Sequence, residues 1–153
     1  MSVEDLTAAS IIAEIGTDMA VFGSARRLAA WAGVCPANHE SAGQAKRRGT
    51  RKGNVFLKTT LMTAAMGAAR AKGTDFRDKF HRLKARLGAK KADMAIAHKI
   101  LVAVFHILAR TVSFQELGAD DLDRRYKHGI AKRRVRRLGA LGYAVMLQPK
   151  SAA

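Results

Sequence analysis

Proline occurs at only two positions, Pro36 and Pro149, and between them apolar side chains recur three and four residues apart, so almost the whole chain is free to be helical. Alternating patterns of the strand type are few. Asp5 or Thr7 can cap a first helix carrying Leu6, Ile11, Ile12 and Ile15, which Gly16 ends. Ser24 caps a short second helix with Leu28, Ala29 and Trp31 on one side, stopped by Gly33. Residues 55–72 read as a third helix rich in Ala, Leu and Met. Asp75 opens a fourth, running to residue 87, with Phe76, Phe80, Leu83 and Leu87 spaced four, three and four apart. Residues 91–110 form the fifth, in which Met94, Ile96, Ile100, Leu101, Val104, Phe105 and Leu108 make the centre of the core. A short acidic turn or helix over 120–125, a separate basic helix over 130–141 with Val135, Leu138 and Leu141 left to pack, and a short extended tail over 143–147 follow. The expected fold is all-α (mainly α): a compact multi-helix domain over residues 1–147 with a frayed tail at 148–153.

Charge narrows the function. Twenty-eight Lys and Arg stand against twelve Asp and Glu, a formal net charge of +16. Such self-repulsion is relieved by a polyanion, and nucleic acid is the commonest one for a basic protein. The cations are spread over several segments rather than one amphipathic stripe, which argues against a membrane surface. The most apolar stretch, 94–109, is broken by His98, Lys99 and His106 and reads as too short and too polar to span a bilayer. Residues 1–10 carry Glu4 and Asp5 where a signal peptide needs a basic region. Cys35 is the only cysteine, so no internal disulfide can form, and it reads as a small buried hydrophobe in a cytoplasmic protein.

Between the second and third helices lies a long Gly/Arg/Lys-rich loop, residues 34–54, which is unusual in a compact domain unless it is functional or disordered. Five of the seven side chains from 46 to 52 are cationic: Lys46, Arg47, Arg48, Arg51 and Lys52. Interspersed glycines let backbone N–H groups come close to a phosphate, and guanidinium forks bind its oxygens in pairs. Arg133, Arg134, Arg136 and Arg137 in the basic helix offer a second cationic surface for a phosphate backbone. Ser41 sits at the edge of the cationic loop. On spacing alone it reads as a turn residue before it reads as a nucleophile. His39 and Glu40 read as surface polar residues.

Metal chemistry finds little support, and no cofactor is expected in this chain. His98 and His106 lie eight residues apart on one helix, two turns separated, and cannot chelate one ion together. They read as core or near-core residues. Asp120, Asp121 and Asp123 form the only carboxylate cluster and suit helix capping better than a magnesium site.

Several runs together resemble the C-terminal transposase domain of the IS-one-ten family of bacterial insertion sequences. They are Ser10-Ile11-Ile12-Ala13-Glu14-Ile15-Gly16, the stretch from Leu28 through Trp31 to Pro36, Glu40-Ser41-Ala42-Gly43, and Thr50-Arg51-Lys52-Gly53-Asn54. The likeness continues through Ala97-His98-Lys99-Ile100-Leu101, Glu116-Leu117-Gly118-Ala119-Asp120 and Leu138-Gly139-Ala140-Leu141-Gly142-Tyr143. It implies that Ser41 is the nucleophile, attacking a DNA phosphate to give a transient phosphoserine link before strand exchange. It further implies a bridge RNA paired with donor and target DNA, and a homo-oligomer, dimer or tetramer. Family members also carry an N-terminal RuvC-like domain whose four carboxylates bind Mg2+, and these residues do not match anything in this sequence. The expectation is a truncated copy or excised domain that binds DNA and RNA without efficient cleavage by itself. Two other readings remain: a non-catalytic nucleic-acid-binding remnant, and a structural basic protein such as a ribosomal component.

Overall fold

The computed structural model describes residues 3–36, 40–41, 44–45, 50, 52–115 and 121–148, with backbone alone at 3, 4, 40, 41, 44, 45, 121–126, 128 and 130. Among these residues the chain is mainly helical. The elements are α1 (Val3–Ile15), a 3-10 turn (Met19–Val21), α2 (Ala25–Trp31), β1 (Glu40–Ser41), β2 (Gln44–Ala45), α3 (Val55–Ala68), α4 (Asp75–Leu87), α5 (Ala89–Arg110) and α6 (Asp121–Ala140). They divide into two compact units, residues 1–119 and 120–153.

In the first unit α5 is the hub. It packs against α2, α3, α4 and the 3-10 turn, while α1 lies on α3. The sequence explains why: Ala92, Ile96, Ala97, Leu101 and Phe105 are buried along α5, and Leu57, Leu61 and Ala65 make a matching stripe at four-residue spacing along α3. Leu28, Val34, Leu57, Leu61, Ile96 and Leu101 are fully enclosed. Each such side chain contributes about 1.5–3 kcal/mol of burial, and the alanines between them let helices approach closely. No polar or charged side chain is fully buried among the described residues.

Of the expected α5 core, Ile96, Leu101 and Phe105 are buried, whereas Met94, Ile100, Val104 and Leu108 are partly covered at its edge. The same holds on α4, where Phe76, Phe80 and Leu83 are half-buried and Leu87 is exposed. That helix has one neighbour, α5, which cannot cover its whole apolar face. His98 is half-buried, but His106 is exposed, with its ring edge-on to Phe105. Thr74 caps α4, its Oγ1 accepting from the Arg77 N–H at 3.3 Å. The third helix stops at Ala68, because Arg70 and Ala71 both turn back to the Gly67 carbonyl.

Two expectations need correction. First, α5 is 22 residues long and apolar enough, by length and composition, to cross a membrane. Its buried side chains face three other helices, so it serves as the core helix of the unit. Second, the acidic turn and the basic helix are one continuous helix, α6. Gly129 lies inside this helix, whose interior tolerates glycine at a cost of about 1 kcal/mol relative to alanine, and nothing crowds it here. Leu138 and Leu141 in this second unit are 41% and 66% exposed, and only Val135 of the expected packing trio is half-buried.

Candidate nucleic-acid interface

The long loop begins where α2 ends. Val34 N–H donates to the Ala29 carbonyl at 3.1 Å and Gly33 N–H to that of Ala30 at 3.2 Å, the paired bonds of a Schellman closure. Its pivot, Gly33, has φ +72°, which only glycine adopts without strain. Val34, just beyond, is buried and pins the departing chain to the core. Cys35 is half-buried, as a small apolar side chain at the core margin should be.

From there the loop is organised as an antiparallel excursion. Pro36 pairs with Thr50 in an isolated bridge. Farther out, β1 pairs with β2, with Glu40 opposite Ala45 and Ser41 opposite Gln44. The Lys58 ammonium donates to Thr50 Oγ1 at 2.7 Å. Gly53 lies against the α2 terminus so closely that a Cβ there would fall 2.4 Å from the Gly33 nitrogen. Asn54 N–H donates to the Trp31 carbonyl at 3.4 Å. The Asn54 side chain does two jobs: Oδ1 accepts from Leu57 N–H at 3.0 Å, capping α3, and Nδ2 donates to Glu14 Oε2 at 2.6 Å, tying in α1. Five separate contacts thus fix the stem to α1, α2 and α3. Among its described residues, a loop that composition marks as irregular carries two antiparallel pairings and a stem held by three helices.

Asn54 is therefore the stem residue most open to test. Asn54→Ala should destabilise the chain by about 1–2 kcal/mol, since it removes the cap and strands an N–H. Asn54→Asp keeps the acceptor but sets a carboxylate against Glu14, so it should recover only part of that loss. Urea unfolding followed by circular dichroism reads both. Equal stability of Asn54→Ala and the unaltered chain would remove Asn54 from the stem.

The sequence-nominated residues fall in two places. Ser41 is the last residue of β1, on the hairpin, and its side chain is outside the described residues. Lys46, Arg47, Arg48 and Arg51 lie outside them altogether, as do His39 and Asp120. Lys52 is described and exposed, next to Gly53. In the sequence Lys46, Arg47 and Arg48 fall between β2 and Thr50.

The other set is in α6. Arg133, Arg134, Arg136 and Arg137 are all exposed. Positions 133, 136 and 137 fall at i, i+3 and i+4, and 134 lies three before 137, so the four guanidiniums share one side of the helix. Half-buried Ala131 and Val135 lie on the opposite side. No ion pair neutralises these arginines among the described residues. The face is a short dense cation row, about 6 Å along the axis. It can engage closely spaced phosphates.

Among the described residues no group of three or more His, Cys, Asp or Glu side chains could hold a metal ion. The described residues offer no fit for the Mg2+ that the family resemblance assigns to a RuvC-like domain. Asp121 opens α6, and the side chains of Asp121 and Asp123 lie outside the described residues.

Sequence comparisons complete the description. Residues 1–81 match the model of the family described as "Transposase IS116/IS110/IS902 family". The transposase for insertion sequence element IS1111A of Coxiella burnetii is 32% identical over 114 residues, which cover 72% of this chain and 31% of that protein. A probable family 20 transposase of Pseudomonas aeruginosa is 30% identical over 112 residues, covering 70% of this chain and 33% of that one. The chain therefore spans about a third of the length of both relatives. No solved structure matches it.

Proposed function

This chain belongs to the IS116/IS110/IS902 transposase family, and from that premise we propose that it is the serine-bearing C-terminal part of an insertion-sequence transposase. In this reading it binds DNA and a guide RNA in the cytoplasm and works within a homo-oligomer. Ser41 supplies the nucleophile for strand cleavage and exchange. The observation that carries the proposal is the coincidence of family membership with a net charge of +16 and an exposed arginine row on α6. Phosphate contacts from that row and from Lys46, Arg47, Arg48, Arg51 and Lys52 hold the nucleic acid without reading its bases.

Catalysis is assigned to the hairpin. The Ser41 hydroxyl oxygen attacks a DNA phosphorus and forms a new O–P bond. One bridging P–O bond breaks, the sugar oxygen leaves and takes up a proton, and the serine proton passes to a base. Cations from the return arm would stabilise the charge that develops on the phosphoryl oxygens. Cleavage is assigned to the chain acting with a four-carboxylate domain, and the chain alone is expected to bind without cutting.

Binding is tested by fluorescence anisotropy with a 25-base-pair duplex over a range of salt. Each lost phosphate contact should reduce the slope of log K against log salt by about 0.9. Replacing Arg133, Arg134, Arg136 and Arg137 together by Gln should therefore flatten the slope by up to about 3.6 and weaken binding at least about tenfold at low salt. An unchanged slope would remove α6 from the interface. Failure of the unaltered chain to bind any nucleic acid at low salt would end the reading.

A further inference from the structure

Away from the hairpin and α6, the first unit carries a cavity of about 180 Å³ between α4, α5 and residues 112–115. It is lined in part by Asp75, Phe76, Lys99, Phe114 and Gln115. Sites that swallow whole small-molecule ligands run to about 300–1,000 Å³, so this one suits a fragment such as a single planar ring. Its aromatic wall is a stacked pair: the Phe76 and Phe114 centroids are 6.0 Å apart with the rings 10° from parallel. Phe76 is half-buried, whereas Phe114 is 51% exposed, so the stack ends in an accessible aromatic surface. Gln115 adds an amide that can both donate and accept, suited to the edge of a base.

Charge beside the cavity is unbalanced. Lys99 on α5 lines the cavity, and Lys79 on α4 lies beside its Asp75 wall, with Asp75 Oδ2 3.7 Å from the Lys79 ammonium. The strain registers on the neighbours. Burial first, and then Lys99, hold Lys79 below the ordinary lysine range, although Asp75 pulls the other way. Burial and the same Lys99 charge hold His98 below the ordinary histidine range. A bound anion would relieve this repulsion.

We propose that this cavity binds one unpaired nucleotide of a single-stranded nucleic acid, with its base stacked on Phe114 and its phosphate drawn to Lys79 and Lys99. The site lies on elements different from the hairpin and α6, and it rests on the nucleic-acid reading above only for the identity of the polyanion. An aromatic platform beside cations is the common solution for holding unpaired bases without sequence preference. Base-paired DNA hides its ring faces in the stack and gains little from such a platform. The pocket therefore discriminates single strands from duplexes, a property the α6 arginine row does not have.

The test uses the full chain with fluorescein-labelled dodecamers of thymidine and of uridine, and a 25-base-pair duplex, in anisotropy titrations at one salt concentration. Phe114→Ala should weaken binding of the single strands about tenfold, and Phe114→Trp should restore it. Lys99→Gln, at an exposed position that does not threaten folding, should weaken the same binding several-fold. Duplex affinity should stay within about twofold throughout. Whichever dodecamer loses more identifies DNA or RNA as the source of the nucleotide. Single-strand binding unchanged within about twofold in both Phe114→Ala and Lys99→Gln would overturn the proposal. So would a chain that binds duplex through α6 but no single strand, which would leave the transposase reading intact. A chain that binds none of the three probes would end both.

Discussion

With Ser41 replaced by alanine, insertion-sequence DNA should no longer become covalently joined to protein when the chain is co-expressed with the family's four-carboxylate domain. The unaltered chain should yield an adduct that survives denaturing electrophoresis and carries the DNA label. The loss should be at least about a thousandfold, because the covalent step has no substitute oxygen once the hydroxyl is gone. DNA affinity should change by less than about twofold, since binding is assigned to cations and not to the alcohol. Folding should be equally indifferent. Ser41 pairs with Gln44 through the main chain, and alanine preserves that pairing.

The experiment separates the readings that composition leaves open. A non-catalytic remnant predicts no adduct from either chain, and a ribosome-like structural protein predicts in addition no preference for insertion-sequence ends. An adduct of equal yield in Ser41→Ala would assign the nucleophile elsewhere and leave the hairpin a binding element. Peptide mapping of the wild-type adduct should place the modification between residues 40 and 45, the span of β1 and β2.

Much of the architecture was legible because it depends on local chemistry. The cap at Ser24, the start of a helix at Asp75, the stop at Gly33 and the dense apolar register of residues 96–105 each follow from a few adjacent side chains, and the structure places helices there. The division of α6 was misread for the opposite reason. Gly129 and the switch from acidic to basic residues are strong local punctuation, yet neither forbids helical hydrogen bonding. Exposure along α4 was misjudged because periodicity gives the apolar face but not the number of helices available to cover it. The hairpin stem was invisible for a further reason. Pro36 with Thr50, Lys58 with Thr50, and Asn54 with Glu14 join residues 14, 8 and 40 apart, and no local pattern announces such pairs. Only Asn54, a cap-forming residue immediately before an apolar helical run, carried a signal that could have been used. Ser41 was found through family likeness. Its spacing alone pointed to a turn.

Gly53→Ala should be the most damaging single substitution in the stem, although the residue is solvent-accessible and its neighbours on either side are polar. The added methyl would lie 2.4 Å from the Gly33 nitrogen, 2.5 Å from the Ala32 carbonyl carbon and 2.6 Å from the Gly33 Cα. All three are backbone atoms, so no side chain can swing aside. The α2 terminus cannot yield either: Ala32 is fully buried, and Gly33 is committed to its left-handed turn with Val34 seated in the core behind it. The return arm must move instead, by about an ångström. That displacement stretches the Asn54 N–H bond to Trp31, already 3.4 Å long, and pulls Asn54 away from Leu57 and Glu14. Overpacking of this kind costs about 1–3 kcal/mol and loss of the cap about 1 more, so a total near 3 kcal/mol is expected, or a fall in Tm of roughly 10 °C. Thermal unfolding by circular dichroism measures the first effect. The second is functional: the stem that carries Lys52, next in sequence to the rest of the cationic run, loses its mount, so DNA affinity at low salt should drop while the α6 contribution to the salt slope persists. Gly67→Ala, at a helical glycine with open space around it, is the control and should be neutral or slightly stabilising. Equal Tm values for the two variants would mean that the hairpin stem does not press on the α2 terminus, and the rigid base assigned to Ser41 would go with it.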